Sequence, residues 1–137
     1  DLPIEWKNII CRADGTRKKV VLYNTSIQNL LTHNEKMIMK IDNSLRVFKE
    51  YKEDIALIWR PHPLIYATLQ SMRPNLLNDY KAIVNKYCSA GWGIYDDTSD
   101  MNRAIAVSDA YYGDGGSMLE LYKATGRAIL LQRVEMS

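Results

Sequence analysis

This chain of 137 residues has two cysteines, almost no net charge and no long apolar stretch. Cys11 and Cys88 lie far apart, without a CxxC pair or nearby histidines, so their spacing predicts neither a disulfide framework nor a zinc site. We expect both thiols to be reduced and structural. The longest uninterrupted apolar run, residues 55–59, is much shorter than the roughly 20 residues that span a bilayer. The segment is therefore not expected to cross a membrane.

The charged residues are balanced, with 18 Lys and Arg against 16 Asp and Glu. No basic stripe of the kind that tracks a phosphate backbone is present, which argues against a nucleic-acid partner. A content of 47% hydrophobic and 25% charged residues is typical of a single soluble globular domain and excludes disorder, collagen-like repeats and disulfide-stapled miniproteins. The chain begins at Asp1 without a signal peptide and stops after residues 135–137 with no closing element, so we expect a piece of a longer protein.

The first half of the chain predicts two strands around a long helix. Residues 18–23 are a β-branched apolar run that follows the turn-like pair Asp14-Gly15, as in a buried strand. From residue 27 to about residue 51, apolar side chains recur every three or four positions, which predicts one amphipathic helix. Residues 55–59 predict a second strand, which residues 60–63 close because proline cannot continue a ladder of hydrogen bonds.

The second half predicts three more strands separated by helices. A helix follows Pro74 and continues to about Tyr87, with no strong strand signal between residues 64 and 90. The remaining predicted strands cover residues 91–97, 109–114 and 128–131. A small helix, capped by Ser99 or Asp100 and running through Val107, separates the first two of them. A helix over 117–125, ended by Gly126, separates the last two.

Continuous apolar strands that alternate with helices are typical of a parallel sheet buried on both faces. The sequence therefore predicts an α/β fold, a Rossmann-like doubly wound parallel sheet of about five strands with helices on both faces. Ligands bind such sheets beyond the carboxyl ends of the strands, at the switch point of the topology. The residues at those ends are polar, small and partly cationic: Asn24, Thr25, Ser26, Arg60, His62, Asp96, Asp97, Asp114, Gly115, Gly116 and Ser117.

The segment Asp114-Gly115-Gly116-Ser117 has two interpretations. Consecutive glycines before a helix let backbone N–H groups approach an anion, and the helix N-terminus adds a favourable dipole, as in a phosphate cradle. The same residues also suit an ordinary tight turn with Ser117 as the N-cap. Neither GxGxxG nor GxxxxGK[ST] occurs in the chain, so a dinucleotide fingerprint and a P-loop are both unsupported.

His62 and Arg60 also have a functional and a structural interpretation each. His62 stands between two prolines, and its fixed backbone suits an imidazole that is directed at a phosphate. Pro-His-Pro equally suits a rigid connector with an exposed histidine. Arg60 either pairs with a phosphate or forms a salt bridge with a neighbouring acid.

Structural explanations cover the other polar groups. His33 lies in the first predicted helix, near its beginning, and capping by Thr32 or Asn34 explains this polar cluster. Asp96 and Asp97 form the one acidic pair at a strand end, but further metal ligands are missing, so we treat them as solvated loop acids and predict no metal and no cofactor. The aromatic residues lie mainly in or beside strands, where packing is expected, and a base-stacking role for one of them stays open.

Three blocks of sequence, residues 59–63, 108–117 and 122–130, carry a further signal. In order and content they resemble the carboxy-terminal half of the CDP-glycerol glycerophosphotransferase family, and the similarity extends from about Lys18 to Gln132. That family moves glycerol phosphate, or a related polyol phosphate, from a CDP-activated donor to a growing teichoic-acid-like polymer. The resemblance implies a GT-B architecture of two facing Rossmann-like domains, with this chain as the donor-binding one.

The resemblance also implies a site for the donor pyrophosphate. The family has a His-Pro pair, matched by His62-Pro63, and a later Ser-Asp segment that ends in Asp-Tyr-Ser-Ser, matched in part by residues 108–117. Gly115 and Gly116 replace the family's Tyr and first Ser, so backbone N–H groups must stand in for one hydroxyl. The family's acid in the next helix is out of register here, since Glu120 is one position early. The implied site consists of Arg60, His62, Gly115, Gly116 and Ser117, with Asn24, Thr25, Ser26, Asp114 and Glu120 as further loop residues.

The reaction implied by the resemblance is an inverting displacement at the donor phosphorus. A base deprotonates the acceptor hydroxyl, and His62, Ser117 and the helix N-terminus stabilise the departing CMP. The base in a GT-B enzyme generally comes from the other domain, and the resemblance does not nominate His33. The segment is therefore expected to bind nucleotide weakly and to catalyse nothing alone. Family members work at the cytoplasmic face of the membrane, often as peripheral proteins, and free cysteines agree with that compartment.

Two other functions are compatible with the predicted fold. A flavodoxin-like interaction or receiver domain would need an acidic pair after the first strand, a phosphoacceptor Asp after the third and a Lys after the fifth. The chain has residues 24–26, Asp96-Asp97 and Gln132-Arg133 at those places, which argues against a receiver. A transferase domain that has lost activity and is retained for assembly is compatible with Gly115-Gly116, and measurable nucleotide affinity would argue against it.

Overall fold

Five strands, all parallel, form one sheet in the computed structural model, which describes residues 2–132. The strands are β1 (Lys19–Thr25), β2 (Ile55–Pro61), β3 (Ile94–Tyr95), β4 (Ala110–Gly113) and β5 (Ala128–Leu131). Their order in the sheet is β3-β2-β1-β4-β5. The predicted α/β fold is confirmed, and β1 is its central strand.

Helices connect the strands on both faces of the sheet. They are α1 (Ile4–Ile10), α2 (Ile27–His33), α3 (Glu35–Glu50), α4 (Ile65–Met72), α5 (Pro74–Ala90), α6 (Met101–Val107) and α7 (Ser117–Lys123). The sequence analysis did not predict α1 and α4, and it placed a seven-residue strand where β3 has only two residues. Asp100 caps α6, as one of the two predicted alternatives, by accepting a hydrogen bond from the Arg103 backbone N–H at 3.2 Å.

Each face of the sheet has its own apolar core, which explains why the strands are continuously apolar. Val20 and Leu22 point to the core that contains α1, α6 and α7, while Tyr23 points to the core that contains α2 to α5. Trp59 is fully buried on the second face, with its ring edge-on to Tyr87 at 5.4 Å between centroids. The helices before β3 and after it therefore cover opposite faces, as in a doubly wound sheet.

The single helix predicted over residues 27–51 is wrong, because Asn34 divides it into α2 and α3. Asn34 has φ 52° and ψ −121°, outside the helical region, and asparagine is among the residues that tolerate a positive φ best. Its side chain makes no capping hydrogen bond; instead its Oδ1 accepts from Nε of Arg73 at 2.9 Å. Asn34, one of the two predicted capping residues, occupies the cap position between the helices and caps through its backbone: its N–H donates to the Leu30 carbonyl at 2.8 Å, and its carbonyl accepts from the Met37 N–H at 3.0 Å. His33 lies at the end of α2 rather than near the beginning of a long helix.

The two cysteine thiols are free and both are exposed, so neither belongs to the buried core. Burial of part of the Cys88 side chain raises the pKa of its thiol.

Within the described residues, no helix combines the length and the apolar composition needed to cross a bilayer. Arg133, which entered the comparison with receiver domains, and residues 135–137 lie outside the described part of the chain.

At Gly113, β4 lies too close to the backbone of β1 to leave room for a side chain. Its φ is 138°, and a Cβ built there would collide with the main-chain oxygen of Asn24. Gly113→Ala is expected to lower the free energy of unfolding by about 3 kcal/mol or more, because it combines backbone strain with a main-chain clash. Chemical denaturation of the two proteins measures this difference.

Gly126→Ala is the matched control, since Gly126 also has a positive φ, 73°, but open space around its Cβ position. We expect it to cost only about 1–2 kcal/mol, the cost of a left-handed conformation alone. Equal losses in the two variants would show that the β1–β4 approach does not constrain the fold.

Candidate functional site

A cleft of about 340 Å³ lies beyond the carboxyl ends of β1, β2 and β4. It is lined by residues 24–26, 60–64 and 115–118, together with Ser99 and Met101 from the segment after β3. The strand order reverses between β2 and β4 on the two sides of β1, so this is the switch point of the sheet, where ligands bind in open α/β folds. We call it the switch-point cleft.

The lining of the switch-point cleft includes a cation and several hydrogen-bond donors but no acidic residue. Arg60 and His62 come from the end of β2 and the loop that follows it, and the Gly115-Gly116-Ser117 segment faces them from β4. Most of the residues predicted from the sequence to hold a pyrophosphate therefore meet around one cavity, although they are separated by more than fifty positions in the chain. The chemistry of this lining suits an anion.

His62 is exposed in the cleft and has a defined orientation. Its Nδ1 accepts a hydrogen bond from the Leu64 backbone N–H at 3.1 Å. Its own carbonyl accepts from the N–H of Ile65, the first residue of α4, at 3.1 Å. Because Nδ1 is an acceptor, the neutral ring carries its proton on Nε2, which is left as a donor. The loop between two prolines thus fixes both the backbone and the tautomer of this histidine.

Arg60 is almost completely buried, with 4% of its side chain exposed, and forms a salt bridge with Asp96. The distance between Nη1 and Oδ2 is 2.9 Å, and the Asp96 side chain is fully buried. The salt-bridge interpretation of Arg60 is therefore correct for Nη1, and the expectation that Asp96 is a solvated loop acid is wrong. Asp97, by contrast, is exposed. The described residues contain no group of three or more His, Cys, Asp or Glu side chains placed to hold a metal ion.

The glycine segment after β4 leads into α7 through an unusual backbone conformation. Gly116 has φ 135° and occupies the N-cap position of α7, where no side chain makes a capping hydrogen bond. Ser117 is the first residue of the helix, so its predicted role as N-cap is wrong. Its side chain is exposed at the edge of the cleft and is left available to a ligand.

Asp114 organises the floor of the site and does not line it. One carboxylate oxygen accepts from the Ser26 backbone N–H at 2.7 Å and the other from the Gln132 side chain at 2.6 Å. Its carbonyl accepts from the Tyr111 hydroxyl and from the side chain of Asn24. Asp114 is 2% exposed, so its role is to join the ends of β1, β4 and β5.

The residues at the end of β1 also have structural partners. Thr25 is buried, and its hydroxyl accepts from Nε1 of Trp59 at 3.1 Å. Ser26 is the N-cap of α2, where its hydroxyl accepts from the Asn29 backbone N–H at 3.1 Å. Both residues line the cleft, but their hydroxyl groups already accept hydrogen bonds within the protein. Their contribution to a ligand site is therefore the shape of the cleft wall.

Three residues named by the resemblance lie away from the cleft. Glu120 is exposed on α7 and pairs with Lys123 at 3.3 Å. Ser108 and Asp109 precede β4 and therefore lie at the amino ends of the strands, opposite the cleft. There the Asp109 carboxylate accepts a hydrogen bond from the Val20 backbone N–H at 2.8 Å. The segment over residues 108–117 thus spans a whole strand, and only its second half reaches the cleft.

The sequence analysis missed the apolar side of the cleft and the partner of Arg60. Leu64, Met101 and Met118 line the cavity, but apolar residues near a predicted helix carry no signal that separates them from core residues. The Asp96–Thr98 pair was detectable in principle. Asp96 accepts from both the backbone N–H and the hydroxyl of Thr98, at 3.1 and 2.6 Å, which is the local bonding pattern of an Asx turn.

Comparison of the chain with protein-family models, with curated proteins and with solved structures finds no match.

The Tyr111 hydroxyl supplies a test of the Asp114 network. It accepts from the Asn24 side chain at 2.9 Å and donates to the Asp114 carbonyl, and burial raises the pKa of Tyr111 to about 12. Folding therefore favours the neutral phenol, and this stability is present below pH 10 and lost as the pH rises towards 12. We expect Tyr111→Phe to cost about 1 kcal/mol at pH 7 and to reduce the alkaline loss of stability.

Urea denaturation at pH 7 and above pH 10 measures both effects. Tyr51→Phe is the control, because Tyr51 is 55% exposed. An unchanged alkaline profile in Tyr111→Phe would contradict the assignment of a raised pKa to this hydroxyl.

Proposed function

We propose that the switch-point cleft binds the diphosphate of a CDP-activated polyol, as the donor-binding part of a glycerophosphotransferase-like transferase. One observation carries the proposal: the cleft at the switch point combines Arg60, the Nε2–H of His62, a glycine segment and the Ser117 hydroxyl, with no acidic residue in its lining. A diphosphate needs several donors in a small space and is repelled by carboxylates. The sequence resemblance adds the cytidine and the polyol phosphate to this general anion chemistry.

Each donor has a distinct role in the proposed complex. His62 donates from Nε2 to a phosphate oxygen without having to change its backbone or tautomer. Gly115 and Gly116 line the cleft with backbone that carries no side chain of its own, and Ser117 adds a hydroxyl. Arg60 supplies positive charge from the floor of the cleft. These four contributions surround the negative charge of the donor on two sides.

The proposed reaction breaks the phosphoanhydride bond of the donor. An acceptor hydroxyl oxygen forms a bond to the phosphorus of the polyol phosphate, the bridging oxygen leaves with CMP, and the hydroxyl proton passes to a base. His62 and Ser117 stabilise the charge that develops on CMP. The base and the polymer acceptor are assigned to a second domain, as the resemblance implies. The full protein would act at the cytoplasmic face of the membrane, with peripheral attachment.

A transferase-like domain that has lost its activity is the second candidate. It is favoured by two observations, the pairing of Arg60 with Asp96 and the glycines that stand in place of a tyrosine and a serine. Such a domain would be retained for assembly and would bind the donor weakly or not at all. Nucleotide affinity separates the two candidates.

Calorimetric titration with CDP-glycerol, CDP, UDP and inorganic pyrophosphate tests the proposal. We expect the cytidine diphosphate species to bind, and His62→Ala and Ser117→Ala each to weaken binding about tenfold or more, because each removes a hydrogen bond to a charged group. His33→Ala and Ser89→Ala are matched controls, since they remove a histidine and a serine that do not line the cleft.

Binding that is unchanged in both cleft variants would overturn the proposed site. If the isolated chain binds none of the four compounds, the same titration on the full-length protein decides between a site shared by two domains and the inactive domain.

A further inference from the structure

The guanidinium of Arg60 has one counter-ion inside the protein and open donors on its other side. Asp96 binds Nη1 at 2.9 Å, and Arg60 makes no other side-chain hydrogen bond within residues 2–132. Neither Nε nor Nη2 is a buried atom without a partner, and Arg60 lines the switch-point cleft. The remaining donors of this buried cation therefore open on the cleft.

Asp96 is held in place independently of Arg60. Its second carboxylate oxygen accepts from the Thr98 backbone N–H at 3.1 Å and from the Thr98 hydroxyl at 2.6 Å. Its backbone N–H donates to the Trp59 carbonyl at 3.0 Å, which ties it to the end of β2. A carboxylate held by these bonds cannot turn away when an anion enters the cleft. The anion and Asp96 must share one guanidinium.

We propose that Asp96 is an affinity-setting residue, a fixed internal counter-ion that limits how tightly the cleft holds a phosphate-class anion. When the cleft is empty, it compensates the buried charge of Arg60. When the cleft is filled, it repels the bound anion across the guanidinium, so the anion exchanges readily. This inference deepens the proposed function, because it concerns the same cleft, but it requires only the anion and not the nucleotide.

Asp96 has two opposite effects on anion affinity: its charge repels the bound anion, and its hydrogen bond positions Arg60. The larger effect decides whether removal of the Asp96 charge strengthens or weakens binding. A like charge about 7 Å away on the far side of one guanidinium, at an effective dielectric constant of about 20, weakens anion binding roughly fiftyfold. The loss of orientation when a side chain is released costs roughly a few-fold to tenfold. Removing the charge of Asp96 should therefore tighten anion binding, whereas a residue with only a structural role could weaken it or leave it unchanged.

Pyrophosphate titration of Asp96→Asn tests this directly. We expect about tenfold tighter binding than in the wild-type protein, together with lower stability of the empty protein, because Arg60 loses its counter-ion. Unchanged or weaker binding by a folded Asp96→Asn protein overturns the inference.

Arg60→Lys provides a second variant, which retains a cation opposite Asp96. A lysine ammonium is a point charge that lacks the second donor edge of a guanidinium, and it would be taken up by Asp96. We expect pyrophosphate binding to weaken about tenfold, and a denaturation curve checks that the variant is folded. Unchanged affinity in this variant overturns the inference even if Asp96→Asn does not fold.

The two proposals fail in different ways. Pyrophosphate that binds more tightly to Asp96→Asn, without any preference for cytidine nucleotides, supports the inference and contradicts the proposed function. CDP-glycerol binding that is unaffected by Arg60→Lys and Asp96→Asn supports the proposed function and contradicts the inference about Asp96. Absence of pyrophosphate binding by both the wild-type protein and Asp96→Asn overturns the inference.

Discussion

The close approach of β4 to β1 is the constraint on which the rest of the site depends. Gly113 permits this approach because it has no Cβ to meet the backbone of Asn24. The next residue, Asp114, is thereby placed where its carboxylate accepts from Ser26 and from Gln132. One buried side chain thus connects the ends of three strands, and the loops that follow β1 and β4 reach the same cavity.

The carboxylates nearest the cleft are buried beneath its lining and are not part of that lining. Asp114 and Asp96 are both buried, and each accepts hydrogen bonds that would otherwise be missing at strand ends or at Arg60. Arg60 compensates the charge of Asp96, and neutral donors from Ser26 and Gln132 hold the Asp114 carboxylate, while the cleft presents donors to solvent. A buried ion pair of this kind gives little net stability, but it keeps a cation at a position that solvent-exposed lysines could not hold. The proposed anion chemistry depends on this arrangement.

Patterns that extend over several residues predicted the sheet, but they did not predict the short helices α1 and α4 or the break at Asn34. The five apolar runs and their turns predicted the parallel sheet, because strands covered on both faces, such as β2, are mostly apolar. The apolar positions stop at Leu31 and resume at Met37 in the same helical phase, so the predicted single helix passed over a gap that contains the break between α2 and α3. That break depends on one backbone conformation and on a hydrogen bond with Arg73, which is distant in the sequence.

The sequence by itself determined the class of fold, the edge of the sheet where a ligand site would form and most of the polar residues at that edge. These follow from local rules, since strand ends, prolines and glycines are visible in the order of residues. Only the tertiary structure decided which polar residues are free. In the folded protein, Arg60 forms a salt bridge with Asp96, and the Asp114 carboxylate joins the ends of strands. The side chains of His62 and Ser117 remain accessible in the cleft. Partners in a hydrogen-bond network are chosen by three-dimensional proximity across the sheet, and the linear pattern of a sequence does not encode that proximity residue by residue.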